Sequence, residues 1–75
     1  MEKIVDSIFR LAVDNYSQGE KRTYFIIDHN FSNNLVVGAV LDKLYNHFPY
    51  KIHHLDLDYD GIDEMGNYKY KVLIY

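Results

Sequence analysis

The sequence predicts a small α/β (α+β) domain: a two-layer sandwich in the order αβαββ. Two helices cover one face of a three-stranded mixed sheet that ends in a C-terminal β-hairpin. Three observations carry this expectation. Two segments space their apolar residues at helical intervals, three others read as strands from β-branched and aromatic content or from alternation, and only about eight residues separate the last two of these. A connection that short favours an antiparallel hairpin, because a parallel crossover needs roughly a dozen residues or more.

Residues 2 to 16 place Ile4, Val5, Ile8, Leu11 and Ala12 on one side of a helix, with Phe9 beside them. Ser17-Gln18-Gly19 closes it, and Gly19 is suited to the left-handed conformation that follows a helix end. "RTYFIID", 22 to 28, is too short for a helix and reads as a strand. Ser32 or Asn33 then caps a second helix whose apolar stripe runs from Leu35 through Val36, Val40 and Leu44 to Phe48, and Pro49 stops it. Residues 50 to 58 alternate: Leu55, Leu57 and Tyr59 share one face, while His54, Asp56, Asp58 and Asp60 share the other. "YKYKVLIY", 68 to 75, is apolar on both faces over Val72, Leu73, Ile74 and Tyr75, which places it at the centre of the sheet.

At 75 residues the chain makes one domain, residues 1 to 75. A domain of this size buries only about 60% of its unfolded surface and is held by a small margin. With no cysteine it has neither a disulfide nor a thiolate site. No apolar run approaches the ~18 residues of a membrane span, and Asp6, Ser7 and Arg10 interrupt the first apolar residues, unlike a signal peptide. The expectation is a soluble, intracellular, cytoplasmic protein. A net charge of −3, with no cluster of Lys and Arg, argues against direct binding to nucleic acid through phosphates. Eight tyrosines beside a single proline and no tryptophan resemble the output of an AT-rich genome, such as that of a low-GC bacterium or its phages.

The densest feature is "HHLDLDYDGIDE", 53 to 64, which holds five of the eleven acidic residues. "DLDYDG", Asp56 to Gly61, fits the start of a calcium loop, in which Asp56, Asp58 and Asp60 would supply oxygens around a sharp glycine turn. Asn67 stands where such a loop carries its bidentate Glu, and the flanks read as strands rather than helices. On extended backbone Asp56 and Asp58 lie roughly 6–7 Å apart, too far to share one ion unless the chain curls, so calcium binding stands as the alternative function. His53 and His54 point to opposite faces of a strand, so the two cannot join one transition-metal site. A second reading is electrostatic: carboxylates at every second residue imitate a nucleic-acid backbone and steer phosphate-binding clefts toward them. The plainest reading is a solvated hairpin whose charges keep the domain soluble and its edge unpaired.

Asp28, His29 and Asn30 end the first strand just before a helix, the place where ligands sit in α/β folds. His29, Asn30 and the following "VGAVLDKL" helix resemble the first motif of DHH-type phosphoesterases, and "LDYDGID" looks like that family's second strand. In that motif a strand ends in His-Asn-Asp-x-Asp-Gly, and the aspartates bind manganese for phosphodiester hydrolysis. Here Phe31 and Asn33 stand in place of the two aspartates and Asn34 in place of the glycine. The resemblance, over about residues 23 to 74, therefore implies a degenerate, inactive module, with Asp28, His29 and Asp58 as what remains of its site. Apart from that family, no serine or cysteine nucleophile has a neighbouring base in a recognisable motif.

The function expected from the sequence is binding, without an enzymatic activity or a resident cofactor. It is that of a small inhibitor or adaptor of the kind phages and other mobile elements encode, in the manner of anti-defence or anti-CRISPR proteins. Its partner would be a basic, nucleic-acid-handling protein, met by Asp56, Asp58, Asp60, Asp63 and Glu64, with Tyr59 and Tyr68 as aromatic anchors. The first edge strand, 23 to 28, offers a route to a homodimer.

Overall fold

The computed structural model describes residues 2–48 and 54–75. Its elements are α1 (Glu2–Ser17), β1 (Arg22–Ile27), α2 (Asn33–His47), β2 (Leu55–Ile62) and β3 (Tyr68–Ile74), the expected αβαββ order. Pro49, His53 and the residues between them lie outside the described part, and with them the expected stop of α2 and the first positions of the expected strand.

Helix α1 buries Val5, Ile8 and Ala12, the face its spacing dictates. It ends in a Schellman motif. The Glu20 amide donates to the Asn15 carbonyl at 2.9 Å, the Gly19 amide donates to Tyr16 at 3.1 Å, and Gly19 sits at φ +89. Ser32 occupies the N-cap position of α2 in extended backbone, but its side chain makes no capping hydrogen bond. The neighbouring Asn33 side chain instead donates to the Tyr70 hydroxyl at 2.8 Å, tying the start of α2 to the central strand.

The sheet order is β1-β3-β2, so the most apolar strand is central, as its two-sided pattern requires. Both neighbouring pairs are antiparallel. The sheet is therefore antiparallel and not mixed: β1 and β2 do run in the same direction, but β3 separates them. A hairpin that places its second strand in the middle leaves β1 no parallel neighbour.

Burial alternates along β1, with Thr23, Phe25 and Ile27 inside, and along β3, with Tyr70, Val72 and Ile74 inside. Together with Leu55 these residues pack against Val5, Ile8 and Ala12 of α1 and Val36, Val40 and Leu44 of α2 in one core. Both helices thus lie on a single face of the sheet. Thr23, the buried polar residue in that core, accepts a hydrogen bond from the Asn15 side chain at 3.0 Å. Among the described residues no element covers the opposite face of the sheet.

Strand β2 extends past the expected end at Asp58, through Asp60 and Gly61 to Ile62. The register shifts between Tyr59 and Ile62, and Gly61 takes φ +105. The glycine that reads as a turn in the sequence forms a bulge inside the strand, and pairing resumes at Ile62 opposite Tyr68.

Candidate functional site

Cross-strand register fixes which side chains share the uncovered face. Arg22, Leu73 and Asp56 form one row and Tyr24, Lys71 and Asp58 the next. Ile26 and Lys69 follow in register, and Asp60 joins them at the bulge, where it helps to line a shallow depression of about 370 Å³ with Tyr24, Ile26 and Lys69. The face is thus striped along the strands, with aspartates on β2, lysines on β3, and Arg22, Tyr24 and Ile26 on β1. Tyr24 and Ile26 are 59% and 52% exposed.

The acidic row stands on extended backbone with its carboxylates on one side, as the alternation predicts. Its partners differ along the strand. Asp56 Oδ2 lies 2.8 Å from His54 Nε2, and the His54 ring rests 4.9 Å from that of Tyr75. Asp58 and Lys71 are opposed in the ladder, where a cross-strand pair contributes roughly 0.2–1 kcal/mol. Asp58 and Asp60 are exposed and Asp56 half-buried.

Tyr59 and Tyr68 are not on this face. Tyr59 is opposite the buried Tyr70, and Tyr68 pairs with both Ile27 and Ile62, so both rings lie on the helix side of the sheet. Their centroids are 6.5 Å apart, and Tyr59 meets Tyr70 edge-on at 5.6 Å. The structure brings Asp56, Asp58 and Asp60 together along one strand and places the two expected anchors behind it. Tyr59 nonetheless remains 55% exposed, because it stands on an edge strand.

Asp63 has a structural task at the hairpin tip. Its Oδ1 accepts from the amides of Met65 and Asn67, both at 2.9 Å, and its Oδ2 accepts from the Asn67 side chain at 3.3 Å. These donors, the Asn67 amide foremost, hold its carboxyl below the usual value of 3.8, with Lys69 adding a smaller pull in the same direction. Glu64 is exposed at the tip beside it. The signal for this turn was present as Asp63 followed by Gly66-Asn67, a pattern of turn-forming residues.

Asn67 also reaches the other candidate segment. Its side-chain oxygen accepts from the His29 amide at 3.1 Å and lies 3.0 Å from His29 Nδ1, which binds the strand-to-helix turn to the hairpin tip. Asp28 Oδ1 accepts from the Asn30 amide at 2.8 Å and so shapes that same turn. Asp28 and His29 follow β1, whereas Asp58 stands on β2 at the opposite edge, so the structure does not gather these three residues.

The calcium reading of Asp56 to Gly61 needs the chain to curl around one point. Strand β2 runs extended there, and among the described residues no three His, Asp or Glu side chains converge as metal ligands do.

Known protein families, curated proteins and solved structures gave no match to this chain. Among the described residues no helix is long and apolar enough to cross a membrane.

Proposed function

We propose that the protein acts by binding, as a small acidic module or inhibitor that presents β2 and the hairpin tip to a protein partner with a basic surface. The observation that carries this reading is the placement of Asp56, Asp58 and Asp60 at alternate positions of an edge strand, on a face that no helix covers. Asp63 and Glu64 extend the negative charge to the tip. Carboxylates in such a row steer a basic partner and fix its register.

The central lysines decide the direction of approach. Lys69 and Lys71 stand next to the aspartates on β3, so the negative field is strongest along the outer flank of β2, not over the middle of the sheet. A partner arriving edge-on meets the aspartates on one side of β2 and the exposed Tyr59 ring on the other. This approach reconciles the two sets of residues that the sheet separates. Tyr68, farther in, supports Tyr59 from behind. A cleft built for nucleic acid, lined by Lys and Arg at phosphate spacing, is the partner chemistry that fits. Anti-defence inhibition of a nucleic-acid-handling protein is the biological setting we propose for it.

An Arg-rich peptide tests the surface directly by amide chemical-shift mapping. At low salt the shifts are expected at residues 54 to 64, and they fade as added salt screens the charges over about 8 Å at physiological strength. The triple variant D56N/D58N/D60N should lose them. Shifts of equal size around the acidic residues of α1, or shifts that survive the triple substitution, would refute the proposal.

A further inference from the structure

The two edges of the sheet are built differently. Strand β2 is guarded by its aspartates and interrupted by the bulge at Gly61, both devices that discourage edge pairing. Strand β1, "RTYFII", has no proline, no bulge and a single charged residue, Arg22 at its start. Its β-branched and aromatic residues favour an extended chain.

The ladder shows which backbone groups β1 leaves open. The Ile74 amide donates to the Lys21 carbonyl at 2.9 Å, so Lys21 and Ile74 form a hydrogen-bonded pair. By alternation the next such pairs are Thr23–Val72, Phe25–Tyr70 and Ile27–Tyr68. The amides and carbonyls of Arg22, Tyr24 and Ile26 therefore point away from the sheet. The Arg22 amide has a long contact of 3.3 Å to a Glu20 carboxylate oxygen, and among the described residues Tyr24 and Ile26 have no outward partner.

We infer that β1 pairs antiparallel with β1 of a second copy about a twofold axis at Tyr24, making a continuous six-stranded sheet. In this register Tyr24 faces Tyr24 and Arg22 faces Ile26. The three outward residues of each copy then exchange both of their backbone bonds, about six hydrogen bonds in all. A register shifted by two residues uses fewer. The register also brings one pair of opposite charges within reach. Arg22 becomes the diagonal neighbour of Asp28 in the second copy, at a distance long side chains span, and this occurs twice by symmetry. By the same count Glu20, just before the strand, falls opposite that Asp28, a like-charge pair that the single guanidinium between them offsets only in part.

A separate observation on the helix layer points the same way. Helix α1 packs on β1 and meets α2 through Phe9 against His47 and Tyr16 against Phe48. Leu11 lies well over a third of a turn from both, on the flank beyond β1, and is 44% exposed. The twofold axis brings this flank toward its counterpart. A domain of this size gains stability from such an assembly. The inference does not rest on the acidic row, which stays free at both ends of the larger sheet.

Sedimentation equilibrium across micromolar to millimolar concentrations, combined with amide exchange, tests the pairing. The wild-type chain is expected to dimerise, with exchange at Tyr24 and Ile26 slowing as concentration rises. Two changes should weaken the dimer about tenfold or more while leaving the circular dichroism unchanged. One is Ile26→Lys, a charge on the exposed face. The other is a synthetic chain N-methylated at Tyr24, which removes an outward donor alone. A wild-type chain that stays monomeric throughout overturns the inference. So does a dimer that both changes leave intact, or one whose Tyr24 and Ile26 amides exchange freely at every concentration, since its interface lies elsewhere. Addition of a peptide strand to a monomeric β1 would likewise show the edge serving another occupant.

Discussion

Val72 and Leu73 are adjacent in the central strand, both apolar, and assigned to opposite faces. Val72 is fully buried against the helices, and Leu73 is half-buried on the uncovered face between Arg22 and Asp56. Val72→Ala removes two methyl groups, about 1.6 kcal/mol of transfer free energy, and the cavity left between fixed neighbours raises the loss to about 2–3 kcal/mol. A chain of this length has roughly 4–11 kcal/mol of stability in total, and the melting temperature should fall by roughly 13–19 °C. Leu73→Ala deletes more atoms, yet these face solvent and charged neighbours, and its cost should stay below about 1 kcal/mol. Urea unfolding measures both, read as a change in midpoint at constant slope. Equal losses, or a larger loss at Leu73, would refute the assignment of faces and with it the position of the acidic row.

Three further outcomes are expected. Because Asp63 is held below its ordinary titration range, its stabilising contribution is fully present above about pH 5 and disappears as pH falls through the lowered value. The difference in melting temperature between wild type and Asp63→Asn should therefore be largest near neutrality and vanish in strong acid, and a constant difference would contradict the turn geometry. Gly19→Ala forces a side chain into φ +89 and should destabilise by about 1 kcal/mol in the same urea assay, with no effect on peptide binding by β2. Calcium at millimolar levels should leave the melting temperature unchanged, because β2 holds its aspartates apart; a marked rise abolished by Asp58→Ala would replace the surface reading with a metal site.

Much of the fold was legible because the relevant patterns are local. The spacing of Val5, Ile8 and Ala12 determines the buried side of α1, and Gly19 marks its end. The apolar run Val72 to Tyr75 points to the middle of the sheet, and β3 is the central strand. What escaped the sequence depended on partners distant in the chain. Ser32 is a good capping residue by type, yet Asn33 found a stronger role by reaching Tyr70, 37 positions away. Gly61 signals a turn and a bulge equally well, and only the resumed pairing at Ile62 distinguishes them. The candidate site divides in the same way. The alternation that aligned Asp56, Asp58 and Asp60 already put Tyr59 behind them, so a single flat surface holding all four conflicts with the period of a strand. The double use of Asn67, within the hairpin tip and against His29, carries no sequence signature, because it follows from where two loops meet.

Placing β3 between strands made earlier has a consequence for how the protein comes into being. Neither β1 nor β2 can close a ladder until the ribosome has delivered Tyr68 onward, so the nascent chain holds two unzipped strands while its helices are already complete. Both ladders then wait on β3, the local hairpin with β2 and the long-range pairing with β1. A chain shortened by a few residues within β3 should lose the whole sheet rather than one edge of it.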